Sequence, residues 1–205
     1  TLMGVDAAVA SILDVLEESG RLHNTLIIYA SDNGYSWGEH RLRGKNTPHR
    51  AATEVPLILR WDARLPAGVQ DTRLVAANVD LTATILQATQ TQLGSIDGLS
   101  LLEPVLRDGV VLEAARWRGD KRRPAYCGWR TTDAMFVRYA TGEEEMYDYV
   151  ADPLEQTNLA QDPAYADRAA VMRQAARRAC LPRPPDFTWK TPAPPAKEAP
   201  ARSGG

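Results

Sequence analysis

The sequence has only two cysteines in 205 residues, Cys127 and Cys180. Two are too few for a disulfide framework, and their spacing suits no zinc site. A single bridge between them stays open on sequence grounds. Charge of one sign is not in excess either: the net charge is −2. That balance supplies no field for nucleic acid or for an anionic membrane surface. The one basic run of three, Lys121-Arg122-Arg123, reads as a solvated loop. No apolar stretch approaches the roughly 18 residues of a membrane span. No leader segment opens the chain, and no internal repeat is visible. Thr1 to Asp6 run straight into a helical pattern, as in the middle of a domain, so the absence of a targeting segment excludes no compartment.

What is present is an ordinary globular mixture, 44% hydrophobic and 24% charged, enough for one sizeable core or a core with a small satellite. Val5, Val9, Ile12, Leu13 and Leu16 recur at steps of three and four, which predicts a helix over 5–18 that Gly20 stops. Leu26 to Ala30 is continuously apolar and reads as a buried strand of a parallel sheet. Val55 to Trp61 reads as the next strand, with Pro56 tolerated at its start. Leu74 to Ala77 suggests a short strand. Asp80 is placed to cap a helix over 81–89 with Leu81, Ile85 and Leu86 inward. Past residue 110, short aromatic-bearing runs at 125–130, 134–139 and 145–149 suggest an antiparallel meander. A helix is expected over 163–179. The Pro/Ala/Lys-rich stretch from 181 to 205 is expected to be disordered.

The chemistry concentrates just after the first strand, in Ser31-Asp32-Asn33-Gly34. The carboxyl end of such a strand is where α/β sheets commonly bind ligands. Adjacent carboxylate and amide oxygens are the donors a hard divalent cation selects, and a glycine lets backbone approach a ligand closely. Lys45 follows in Gly38-Glu39-His40-Arg41-Leu42-Arg43-Gly44-Lys45. An ammonium beside a metal suits a tetrahedral oxyanion.

Taken in order, the segments Ser31-Asp32-Asn33-Gly34, Gly38-Glu39-His40, Gly44-Lys45 and Val55 to Arg60 resemble the stretch that runs through the metal-binding strand end and substrate lysine of sulfatases in the alkaline-phosphatase superfamily. Val5 to Thr25 is similar to the lead-in of that stretch. Val79-Asp80-Leu81-Thr82-Ala83-Thr84-Ile85-Leu86 is similar to a helix of the family, with Ala83 where proline is usual. Gly98-Leu99-Ser100-Leu101 fits the family's G-x-S-L. Glu145-Met146-Tyr147-Asp148, Asp152-Pro153-Leu154-Glu155 and Asn158-Leu159 resemble its closing segment.

The resemblance implies a partial α/β fold. Residues 1–107 would form the C-terminal part of an alkaline-phosphatase-like mixed sheet with flanking helices. Residues 115–180 would form a small antiparallel sheet with a helix, followed by the tail at 181–205. It implies hydrolysis of small-molecule or carbohydrate sulfate esters, with Asp32 and Asn33 as ligands of a Ca²⁺ ion, Lys45 on the sulfate oxygens and His40 facing the substrate. His49 and Arg50 depart from the family's usual tyrosine and acidic residue. The family's nucleophile is a formylglycine made within C/S-x-P-x-R, and this sequence has no such motif. Cys180-Leu181-Pro182-Arg183 places its arginine one position early, and Cys127-Gly128-Trp129-Arg130 has no proline. Both cysteines are therefore read as non-catalytic. The same superfamily also holds phosphonate and phosphate monoester hydrolases, and a non-catalytic fragment is the third alternative.

Overall fold

A computed structural model describes residues 2–71, 76–92, 94–104, 107–116 and 123–190. Two compact units divide it, Thr1–Val110 and Val111–Gly205. The strand expected at Leu74–Ala77, the basic run from Lys121 and the last part of the tail, 191–205, fall wholly or partly outside the described residues.

The first unit opens with α1 (Leu2–Glu18). Arg21 N–H closes it by donating back to the Leu16 carbonyl at 2.8 Å, a Schellman-type stop. β1 (Ile27–Ala30) and β4 (Leu57–Arg60) pair in one ladder with Ile27 opposite Arg60 and Ala30 opposite Leu57. This ladder is antiparallel, which corrects the expected parallel pairing. A parallel partner needs a crossover that carries the chain back to the starting end of the sheet. Here residues 31–56 instead make an excursion at one end of β1 and return. β1 is half-buried rather than buried, ending on exposed Ala30.

The excursion contains the short hairpin β2 (Ser36–Trp37) and β3 (Arg43–Gly44), also antiparallel, and the single turn α2 (Arg50–Thr53). An apolar groove of about 600 Å³ lies between α1 and the β1–β4 pair, lined by Leu2, Val5, Val9, Leu13, Ile27 and Ile58 among others. No residue of α1 is buried.

α3 (Val79–Ala88) begins two residues earlier than expected, and Asp80 is not its cap. The buried face is Asp80, Ala83 and Thr84, whereas Ile85 is 49% exposed. Polar groups face inward here because they satisfy backbone donors. Asp80 accepts from Ala77 N at 2.8 Å and Leu99 N at 2.8 Å, and pairs with Arg107 at 2.6 Å. Thr84 Oγ1 accepts from Leu101 N at 2.9 Å. The Val79-Asp80 and Gly98-Leu99-Ser100-Leu101 motifs are thus two halves of one joint. Gly98 is required in it: a Cβ there would lie 2.2 Å from the Val79 carbonyl oxygen.

In the second unit, β5 (Val110–Ala114), β6 (Tyr126–Arg130), β7 (Ala134–Tyr139) and β8 (Glu144–Asp148) form a sheet in that order. β6, β7 and β8 run antiparallel in turn. β5 is an edge strand beyond the expected meander. Strand alternation sends Ala134 and Phe136 to one face, where they pack with Met146, Ala169, Met172 and Ala176. Met135 and Val137 go to the other, with Tyr126, Tyr147 and Tyr149. Burying a side chain such as Phe136 or Met135 contributes about 1.5–3 kcal/mol. The packed helix is α4 (Ala166–Ala179), preceded by a short 3₁₀ turn from Pro163 whose start Asp162 caps by accepting from Ala164 N at 2.9 Å.

Cys127 in β6 is disulfide-bonded to Cys180, just past α4. Phe187 is buried around this bridge and Trp189 packs against it. Phe187 therefore belongs to the core, with Trp189 packed against it, while most of 181–190 is exposed. The reason is local: two aromatics in a proline-rich segment reach an apolar surface beside the disulfide.

Candidate functional site

All four site candidates lie in the 31–50 excursion. Asp32 and Asn33 sit just beyond β1, and Lys45 directly follows β3. Lys45 Nζ donates to Asn33 Oδ1 at 3.1 Å, so residues twelve apart meet. Asn33 Nδ2 donates to the Gly34 carbonyl at 2.9 Å, which turns its amide oxygen toward the lysine. Asp32 Oδ1 accepts from Asn33 N at 2.9 Å. Ser31 Oγ donates to the Asn33 carbonyl at 2.9 Å.

Gly34 seats the loop. Its N–H donates to the Ala52 carbonyl at 2.9 Å, and a Cβ at Gly34 would stand 2.2 Å from the Ala51 carbonyl oxygen. No other residue lets the strand end lie so close on α2. Sequence reasoning missed a second tether, Asn78, whose amide donates to the Ser31 and Asp32 carbonyls at 3.2 and 3.0 Å. Its only signal was a position directly before the Val79-Asp80 motif.

His40 lies in the turn between β2 and β3 of the same excursion. It stacks on His49, with ring centroids 3.9 Å apart and planes 16° from parallel. His49 is buried, so the histidine standing at the family's usual tyrosine position supports the flat face of His40. Arg50 is held within α2 by a two-pronged pair with Glu54, at 2.5 and 2.9 Å. His40, Arg41 and Asn46 hold φ of 53°, 58° and 66°. Left-handed backbone in residues other than glycine costs roughly 1–2 kcal/mol each, and such outliers cluster at functional sites.

The hairpin presents aromatics as well. Ser36 is buried and pairs with Gly44, the residue before Lys45. Tyr35 and Trp37, on the other face of the ribbon, contact each other at 4.5 Å with planes 44° apart. The Glu39 carboxylate folds back on the turn and accepts from Trp37 N at 2.5 Å and Gly38 N at 3.1 Å. The N–H groups of Glu39 itself, Trp37 and Gly38 hold that carboxyl below the usual range. The described residues contain no group of three or more His, Cys, Asp or Glu placed to hold a metal. Asp32 and Asn33 fit a hard cation in donor type, as two oxygen donors of a larger set.

Residues 1–91 match the family model described as Sulfatase. This part of the chain belongs to the sulfatase family. An N-acetylglucosamine-6-O-sulfatase of Bacteroides thetaiotaomicron is 31% identical over 192 residues, covering 85% of this chain and 33% of the relative. The chain therefore spans about a third of that sulfatase's length. A solved structure in complex with its substrate D-glucosamine-2-N,6-O-disulfate superposes with a TM-score of 0.81 at 27% identity, over 88% of this chain and 39% of that one. A phosphonate monoester hydrolase of Agrobacterium radiobacter follows the same fold, with a TM-score of 0.75 at 25% identity, over 87% of this chain and 39% of that one. These neighbours establish the alkaline-phosphatase-like α/β class for this chain.

Proposed function

We propose that the chain is part of a sulfuric ester hydrolase, and that residues 31–49 form the anion-binding and metal-binding half of its active site. The supporting observation is the Asn33–Lys45 pair, which brings a cation and an oxygen donor together at a strand end. In this reading Lys45 is a compact charge with three donors, directed at a sulfate oxygen as negative charge builds in the transition state. Asp32 and Asn33 would hold a Ca²⁺ ion, which when bound would polarise the sulfuryl group as a Lewis acid. His40, braced by His49, would face the substrate. The chain has no C/S-x-P-x-R motif, so it contributes charge and position rather than that nucleophile.

The substrate class follows from the relatives. One is named for a 6-O-sulfated amino sugar and another is bound to a disulfated glucosamine. A sulfated saccharide is accordingly the proposed substrate. The test is Lys45→Ala in the full-length protein. Loss of a positioned charge contact lowers turnover by about 10²–10³-fold; sulfate ester turnover within a few-fold of the parent would refute the role. A second reading, phosphonate or phosphate monoester hydrolysis, is favoured by the phosphonate hydrolase neighbour. Comparing kcat/KM on matched sulfate and phosphonate esters decides between the two.

A further inference from the structure

We infer that Tyr35 and Trp37 form a stacking surface for the sugar ring of a sulfated saccharide, and so select pyranose sulfates over small alkyl sulfates. The inference rests on the sulfate ester reading above and assigns the residues that would read the rest of the substrate.

Both rings are on the surface, Trp37 at 71% exposed and Tyr35 at 41%. Exposed aromatics that are fixed rather than scattered mark binding sites, and these two are fixed in three ways. They contact each other at 4.5 Å. The backbone of Trp37 is anchored by Glu39 at 2.5 Å. Their strand is registered against β3, with Trp37 opposite Arg43 and Ser36 opposite Gly44.

That register decides what the surface serves. Tyr35 directly precedes β2 and Lys45, the proposed sulfate contact, directly follows β3, so the two flank the same Ser36–Gly44 pair. A ring lying on Tyr35 and Trp37 therefore carries its ester substituent toward the lysine. The ribbon is also charge-matched to an anionic sugar. Arg41, Arg43 and Lys45 are cationic, and its one carboxylate, Glu39, is already engaged by backbone N–H groups. A sugar presents an apolar C–H face to an aromatic ring and hydroxyls to the surrounding polar groups, which suits a tilted aromatic pair rimmed with cations.

The experiment is a binding titration of the 205-residue chain by calorimetry, with three probes: N-acetylglucosamine 6-sulfate, N-acetylglucosamine and methyl sulfate. The chains compared are the parent, Trp37→Ala, Tyr35→Ala and Lys45→Ala. Exposed side chains are replaced, so folding is retained and is checked by circular dichroism. Trp37→Ala is expected to weaken the sulfated sugar about tenfold and to leave methyl sulfate unchanged. Lys45→Ala is expected to weaken both sulfates and to spare the unsulfated sugar. Parent-like binding of N-acetylglucosamine 6-sulfate by both aromatic variants would overturn the stacking surface while leaving the sulfate reading intact. Equal parent affinity for the sulfated and unsulfated sugars, still lost in Trp37→Ala, would overturn the sulfate reading and leave the stacking surface standing. A parent that binds none of the three probes would count against both.

Discussion

Lys45 donates its ammonium to the amide oxygen of Asn33 at 3.1 Å, across twelve residues of chain. The two side chains are therefore one unit, so the roles proposed for them, Asn33 at a metal and Lys45 at a sulfate, are coupled. Removing either leaves the other misplaced: Lys45 loses the acceptor that aims it, and Asn33 loses the donor that orients its oxygen. Residues sharing a hydrogen bond depart from additivity by about 0.5–3 kcal/mol. The Asn33→Ala/Lys45→Ala double variant should accordingly lose less affinity for a sulfate ester than the sum of the two singles. Additive losses in a binding cycle would show that the pair is incidental.

Gly34→Ala should unseat the same loop. The new methyl would sit 2.2 Å from the Ala51 carbonyl oxygen, and neither backbone can yield without breaking the Gly34–Ala52 hydrogen bond. Overpacking of this kind costs about 1–3 kcal/mol. The expected result is a lowered Tm together with weakened sulfate binding, read by thermal melting and titration of one sample. An unchanged melt would mean that the loop relaxes freely.

Glu144 should set the acid stability of the second unit. It pairs with Arg138 at 2.7 Å and Arg173 at 2.7 Å, joining β7 and β8 to α4. Burial pushes its carboxyl up, but hydrogen bonds from Arg173 and Arg138 outweigh that and hold it below the ordinary value. A depressed folded-state pKa contributes stability that is full above the unfolded value of about 4.3 and is lost as pH falls through the folded one. Glu144→Gln should flatten that acid limb in a series of melts across pH. At neutral pH it should cost roughly 3 kcal/mol, because two arginines lose a buried partner. An acid limb identical to the parent's would assign the loss to other carboxylates.

The Cys127–Cys180 bridge closes a separation of 53 residues. Loop-closure entropy for that length corresponds to about 4 kcal/mol. Replacing both cysteines with serine, or reducing the protein, should lower the Tm of the second unit and expose Trp189, whose ring packs beside the bridge. Tryptophan emission should shift to the red on reduction. No shift in either observable would show that Phe187 and the α4 packing hold the segment without the bond.

Much of the fold was readable because it is locally encoded. The step of three and four in Val5 to Leu16 specifies α1, and the alternating aromatics of 126–149 specify the meander. Asp32, Asn33 and Lys45 were legible as donor types at a strand end. Their pairing was not, since nothing in the spacing from 33 to 45 reveals that a two-residue hairpin folds the lysine back. α3 misled for a related reason. Its apolar pattern pointed Ile85 inward, whereas the deciding interactions are hydrogen bonds from Leu99 and Leu101 to Asp80 and Thr84, and hydropathy does not record them.

By itself the sequence determined the α/β class, the order of the family's motifs and the oxygen-and-ammonium chemistry of the 31–45 segment, because periodicity, turn residues and donor types are properties of neighbours along the chain. Only the tertiary structure decided that β1 and β4 run antiparallel, that Asn33 meets Lys45, that His49 braces His40 and that Phe187 belongs to a core. Each of these depends on where a distant segment returns, and that is set by packing and backbone hydrogen bonding across the whole unit rather than by any local pattern.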